Sequence, residues 1–320
     1  MKKQNQSNKS IYCIISGMVI PFLIFAIVCL KARISVPFEK NMETFSAERE
    51  TEEKKSISEL SEKYAAVDDS GKIHFTDACG STFEVGFHPE YRLHSYDWSY
   101  LSGNKHGKMT YSDENFTSRW GIDVSKYQQS VDWKSVKSQG ISFAILRIGY
   151  RGYGQKGKIC SDEMFEKHFS GAKEAGLDVG VYFFSQAVNE NEAKEEAEFV
   201  LKQLHGRALE CPVFFDPENI FDDEARTDDI SGEQFTRNSI VFCDTIEASG
   251  YQAMVYSNML WESFMFDMSQ IEDYGIWYAD CAECPQTPYD FCFWQYTASG
   301  RIDGMDGKVD LDLQFIPADD

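Results

Sequence analysis

The sequence predicts an α/β protein, a TIM-like (β/α)5(β)3 barrel preceded by a transmembrane helix and a stalk. Three observations carry this expectation. Beyond Arg119, eight β-rich apolar runs alternate with amphipathic helical patterns. Acidic residues lie within or at the end of the first, fourth and eighth of those runs, where an unpaired charge is costly to bury. Near the start, the twenty residues Ile11 to Leu30 carry no charge at all.

That uncharged stretch is long enough to cross a bilayer as a helix, with Lys2, Lys3 and Lys9 before it and Lys31 and Arg33 after it. Its end, Ile27-Val-Cys-Leu30, offers no small-x-small cleavage site, so it reads as an uncleaved signal anchor. With a flank of only ten residues ahead of it, the rest of the chain is expected outside the cell, held at the membrane by a single pass through residues 11–30. The expected domains are 1–33 (flank and anchor), 34–118 (stalk or spacer with a small β element) and 119–320 (barrel). In the stalk, Ile57, Leu60, Tyr64 and Val67 recur at helical spacing. Lys72–Phe75 and Thr82–Phe87 read as strands.

In the barrel the strands are expected at Trp120–Val124, Phe143–Ile148, Val179–Phe184, Pro212–Phe215, Ala253–Tyr256, Gly275–Tyr278, Phe291–Tyr296 and Val309–Leu313. Helical patterns at Trp133–Ser138, Glu163–Ala175, Glu190–Leu204, Gly232–Ser249 and Trp261–Phe266 follow the first five, several of them stopped by Gly140, Gly176, Gly206 or Gly250. The last three strands are joined by connections too short or irregular for a helix. Strands rich in Val, Ile and Phe that alternate with helices point to a parallel sheet, and eight of them to closure.

A net charge of −21 over 320 residues argues against nucleic acid or an anionic membrane surface as a partner. Nine cysteines, two of them (Cys13 and Cys29) in the apolar stretch, leave an odd seven elsewhere. Cys281-Ala-Glu-Cys284 has no second such pair and no histidine nearby, so it reads as a local disulfide or as plain loop thiols. The six histidines are scattered and none adjoins the acids, so no metal and no cofactor is expected.

The candidate site is acidic. Asp216-Pro217-Glu218 closes the run Cys211-Pro-Val-Phe-Phe215, and residues i and i+2 of a strand share a face, roughly 7 Å apart. Two carboxyls so placed suit acid/base cleavage of a glycosidic bond. Asp123 in the first strand and Asp310 in the eighth can join them, because the working face of such a barrel is the C-terminal end of its strands. Tyr150, Tyr182, Phe184, Trp277, Tyr278, Trp294 and Tyr296 sit at or near strand ends, where rings can stack on sugars.

These residues resemble the glycoside hydrolase family 25 muramidases, the Cellosyl-type lysozymes. The resemblance covers Trp120 to Ile316 and rests on Asp123-Val-Ser-Lys-Tyr-Gln128 with Val131-Asp-Trp133, Phe143–Gly149 with Tyr150, Gly180-Val-Tyr-Phe183, Pro212–Glu218, Trp294-Gln-Tyr-Thr297, Gly300, Gly304 and Val309-Asp-Leu311. It implies hydrolysis of the β-1,4 bond from N-acetylmuramic acid to N-acetylglucosamine in peptidoglycan, on a barrel of five helices and eight strands. Carried onto this sequence, it makes Glu218 the general acid/base and Asp216 the group that orients the substrate 2-acetamido group, with Asp123 and Asp310 completing a carboxylate ring. Tyr150, Tyr182, Phe184, Trp277, Trp294, Gln295 and Tyr296 are the expected substrate-binding set. Pro217 stands where the family usually has a branched apolar residue, and Asp312 where it usually has Asn. The competing readings are a non-catalytic glycan-binding or wall-tethering protein on the same barrel, and a metal-dependent deacetylase or amidase. The first would be signalled by loss of Glu218; the second would need a histidine-containing metal cluster.

Overall fold

The computed structural model describes residues 57–220 and 223–318. The expected anchor at 11–30 and most of the stalk lie outside the described residues. Among the described residues no helix is long and apolar enough to cross a membrane.

Residues 57–63 form a short helix, in keeping with the spacing of Ile57 and Leu60. Two small antiparallel hairpins follow. The first pairs β1 (Lys72–Thr76) with β2 (Thr82–Gly86), and the second pairs β3 (Leu101–Gly103) with β4 (Met109–Tyr111). The second hairpin had no signal in the alternation of apolar residues, since its strands are three residues each.

The barrel then begins. Its eight strands are β5 (Phe116–Val124), β6 (Phe143–Arg151), β8 (Asp178–Ser185), β9 (Val213–Pro217), β10 (Ala253–Ser257), β11 (Ile276–Ala279), β12 (Phe293–Gly300) and β13 (Val309–Pro317). Neighbours from β5 round to β12 run parallel, while β13 is antiparallel to both β12 and β5 and closes the ring. A short strand, β7 (Ile159–Ser161), hangs antiparallel on the outer end of β6. All eight expected runs are strands of this closed barrel.

Helices α1 (Trp133–Ser138), α2 (Phe165–Glu174), α3 (Glu190–Leu204), α4 (Gly232–Glu247) and α5 (Met259–Phe264) connect the early strands. Side-chain caps fix several starts: Asp132 accepts from two backbone amides of α1, Asn189 from α3, Ser231 from α4 and Asn258 from two amides of α5. Apolar residues recur at three- and four-residue intervals, as with Phe235, Phe242, Cys243 and Ile246 of α4, which bury one stripe against the sheet. The glycines expected to stop helices, Gly140, Gly176, Gly206 and Gly250, all lie in the left-handed region with φ between 74° and 93°.

Inside the barrel, Phe143, Phe214 and Phe293 meet edge to face, with centroids 5.5 and 5.2 Å from Phe293, and seal the end away from the strand C-termini. Gly121 makes room for this floor: a Cβ there would lie 2.2 Å from the Phe143 ring. The cavity is thereby confined to the other end.

Residues 57–118 pack on the barrel and share its outer core. Tyr96 is 6% exposed, sits 4.3 Å ring to ring from Phe315 and donates its hydroxyl proton to the Phe291 carbonyl at 2.7 Å. The Tyr296 hydroxyl of β12 in turn donates to the Gly107 carbonyl at 2.7 Å. Hairpin β1–β2 is tied down where Gln286 accepts from the Thr76 amide and donates to its carbonyl. Tyr96, Met109 and Tyr111 are all buried, and each such side chain contributes roughly 1.5–3 kcal/mol. A 116–320 fragment, which keeps all of β5, is therefore expected to unfold at clearly lower temperature than 57–320, a loss on the order of 5 kcal/mol. Equal melting temperatures of the two fragments would show that this packing contributes nothing.

Candidate active site

The C-terminal ends of the seven parallel strands, together with the N-terminal start of the antiparallel β13, surround a cavity of about 710 Å³, so Asp310 reaches it from the beginning of its strand and not from the expected C-terminal end. Four expected acids converge there: Asp123 from β5, Asp216 and Glu218 from β9 and its following loop, and Asp310 from β13. Strand alternation explains the convergence. On β9, Phe214 points to the floor, Asp216 comes one layer above it, and Glu218 stands at the mouth. On β13, Asp310 is paired directly across from Asp123. Pro217 ends the β9 ladder, as its missing N–H requires.

Hydrogen bonds order this layer. Gln295 donates to Asp123 Oδ2 at 2.7 Å and accepts from the Tyr256 hydroxyl at 2.9 Å, which fixes which way its amide faces. Trp277 Nε1 donates to Asp312 Oδ1 at 2.9 Å. Asp216 is only 4% exposed, and its Oδ1 has no hydrogen-bond partner. Glu218 above it is partly exposed.

The electrostatics follow from burial and crowding. Burial, then the nearby Asp310 charge, pushes the Glu218 carboxyl up to about 7, against the opposing pull of the neighbouring Tyr256 hydroxyl and the Arg147 charge. Asp310 is raised to about 6 by burial, partly offset by its hydrogen bond with Asp123. Asp123 is raised by burial and then by Asp310 and Asp312, and Asp216 by burial and then by Glu218. Arg147 works against the rise of Asp216 and Glu218 alike. Its Nε donates to the buried Asp162 at 2.7 Å, and its guanidinium lies 5.3 and 5.5 Å from the Tyr127 and Tyr150 ring centroids.

Of the expected substrate-binding set, Tyr150, Tyr182, Phe184, Trp277 and Gln295 line the cavity. Trp294 and Tyr296 do not. They flank Gln295 on β12 and so face the other way, into the outer core, where Trp294 Nε1 donates to the Asp280 carbonyl at 2.9 Å and the Tyr296 hydroxyl accepts from Trp120 Nε1 at 2.7 Å. Nearness to a strand end could not distinguish these faces; the inward aim of Gln295 does. Arg147 and Tyr256 also line the cavity without having been expected there. The signal for Arg147 was an arginine inside the run Phe143–Ile148. All seven described cysteines are free thiols, Cys281 and Cys284 included.

Asp312 is fully buried at the floor side of this cluster, with Oδ2 unpartnered, and its carboxyl is raised well above the usual range, chiefly by burial. A carboxyl raised in the folded state holds its proton more tightly there than in the unfolded chain. Folding stability is then greatest below the unfolded value near 4 and falls as pH rises toward the folded one. Asp312→Asn retains an acceptor for Trp277 and removes the ionisation. It is expected to raise Tm at pH 7 more than at pH 4. A Tm gain independent of pH would assign the effect to packing instead.

A closed α/β barrel with carboxyls gathered over its strand ends defines a protein of the glycosyl hydrolase class. The chain belongs to glycosyl hydrolases family 25, whose sequence profile matches residues 122–305. It is 28% identical over 195 residues to the autolytic lysozyme of Clostridium acetobutylicum, covering 60% of this chain and 54% of that protein. With lysozyme M1 of Streptomyces globisporus it shares 26% identity over 215 residues, covering 59% of this chain and 65% of that one. The chain thus spans between about half and two thirds of the length of these relatives. Among solved structures, the modular autolysin LytC of Streptococcus pneumoniae, in complex with a synthetic peptidoglycan ligand, superposes with a TM-score of 0.56 at 20% identity over 77% of this chain and 57% of that one, a likeness of fold.

Proposed function

We propose that the chain is a peptidoglycan muramidase that hydrolyses the β-1,4 bond between N-acetylmuramic acid and N-acetylglucosamine, with retention of configuration and with assistance from the substrate. The observation that carries the reading is the β9 pair: Glu218 at the cavity mouth, raised to about 7, over a buried Asp216 with one oxygen free. Family membership and the two lysozyme relatives support it.

In this reading Glu218 gives its proton to the leaving glycosidic oxygen as the bond to the anomeric carbon breaks. The oxygen of the substrate's own acetamido group attacks that carbon, while the Asp216 carboxylate accepts a hydrogen bond from the acetamido N–H and counters the positive charge that develops on the cyclised acetamido group. Glu218, now a carboxylate, takes a proton from the water that opens the cyclic intermediate. Asp123 and Asp310 complete the carboxylate ring, and Gln295 holds Asp123 in place. Tyr150, Tyr182, Phe184 and Trp277 offer ring surfaces to the sugars.

We read the element order as (β/α)5(β)3, with an anchor at 1–33, an intervening segment from 34 and a hydrolase barrel that starts at Phe116, where β5 begins, three residues ahead of the expected 119. Residues 11–30 would hold the chain at the cell membrane with the barrel outside, acting on the producer's own wall. Digestion of purified peptidoglycan, with mass spectrometry of the new reducing ends, tests the activity: reducing N-acetylmuramic acid is expected, and reducing N-acetylglucosamine would overturn the assignment. Activity recovered in the medium rather than in membranes would overturn the anchor.

A further inference from the structure

The hollow around Glu218 does not stop at the catalytic cavity. Glu218 also borders a second recess of about 290 Å³ that runs along α5 past Asn258 and Trp261 to Phe264. Phe264 is 56% exposed and is at the same time a wall of a third recess of about 310 Å³. The third recess is closed on its far side by β2 and by His88 and Tyr91, which lie outside the family-matched residues.

Two independent features of the third recess point to a ligand. Glu262 lines it, is 4% exposed, and has Oε1 without a partner, while its Oε2 accepts from Thr287 Oγ1 at 2.6 Å. A buried polar oxygen left unpaired is costly, and a donor that reaches it satisfies it. The surrounding wall is aromatic: Tyr91 and Tyr289 lie 5.4 Å apart ring to ring, with Phe264 and Phe266 beside them. Ring faces attract cations, and a buried carboxyl accepts one. Burial raises Glu262 to about 8, against the Thr287 hydrogen bond, so it takes up a proton at pH 7 unless a positive charge stands beside it.

We propose that this recess receives the free side-chain ammonium of a peptidoglycan stem peptide, its methylene chain lying against Phe264 and Tyr91 and its charge against Glu262. The identity of the peptide rests on the muramidase reading, because stem peptides hang from N-acetylmuramic acid, the sugar beside the cleaved bond. The recess along α5 is the path from that bond to the pocket. In this arrangement the segment before the barrel selects the peptide that decorates the glycan.

The test is calorimetric titration of the purified full chain with two peptides, both blocked at the N-terminus. One is alanyl-γ-D-glutamyl-lysyl-D-alanine with a free lysine amine, and the other is the same peptide acetylated on that amine. The free peptide is expected to bind about tenfold more tightly, and Glu262→Gln, which keeps an acceptor for Thr287, to abolish the difference. Phe264→Ala, on an exposed wall, is expected to weaken the free peptide alone and decides the matter should the Glu262 variant fold poorly. Equal binding of both peptides to the unaltered chain, or discrimination that survives both substitutions, would overturn the proposal. Binding is read apart from cleavage. A chain that discriminates the peptides but cuts no peptidoglycan overturns the muramidase reading, whereas one that cuts yet binds both alike overturns the pocket.

Discussion

Glu218→Gln is expected to leave the fold intact and to lower the rate of peptidoglycan hydrolysis by about 10²–10⁴-fold, the usual contribution of a positioned acid/base. The amide fills the same space at the cavity mouth but has no proton of suitable acidity for the leaving oxygen. Titration gives the same residue a second signature. Donation needs the protonated form, which is present below a carboxyl value of about 7 and lost above it, so kcat/KM of the unaltered chain should fall on the alkaline side of about 7. Burial is the first cause of that raised value and Asp310 the second, so Asp310→Asn should move the alkaline limb to lower pH. A folded Glu218→Gln chain that keeps more than a tenth of the activity would move the acid role to another residue.

Asp216→Asn is expected to cost on the order of 10²-fold in kcat, the scale of loss that follows when a reacting group is held out of place. Its carboxyl is buried beneath Glu218 with one oxygen unpartnered, available to an acetamido N–H. The asparagine amide has similar shape but cannot counter the positive charge of a cyclic intermediate. A thiazoline analogue of that intermediate should inhibit the unaltered chain and lose most of its grip on the variant. Recovery of a glycosyl-aspartate by mass spectrometry would instead make Asp216 or Asp123 the nucleophile, and an inverted product would exclude both routes.

The sequence disclosed the barrel well because its signals are local. Each strand is a compact apolar run, four of the five helices have a side-chain cap at their start, and the acids stand out against Val and Phe. Asp123, Asp216, Glu218 and Asp310 could be placed in one cavity because strand order and alternation fix where their side chains go. Two kinds of information were not local. Whether Trp294 or Gln295 faces inward depends on a register that a slip of one residue reverses, and residue type did not reveal it. The packing of Tyr96 against Phe291 and Phe315 joins residues about two hundred positions apart and leaves no periodic trace in either segment. Arg147 was visible as a charge inside an apolar strand. Its meaning emerged only once Asp162, Asp216 and Glu218 stood around it.

The antiparallel course of β13 determines which way the barrel can be extended. Pro317 pairs with Phe116 at the start of β5, and the Ala318 amide donates to the Asn115 carbonyl at 2.7 Å, so the last strand finishes at the sealed end, beneath the phenylalanine floor. Anything spliced after this strand would grow away from the opening of the cavity. An affinity handle, a fluorescent reporter or a second wall-binding module could be appended there without crowding the entrance, whereas an equal insertion after Glu218 would stand in the doorway.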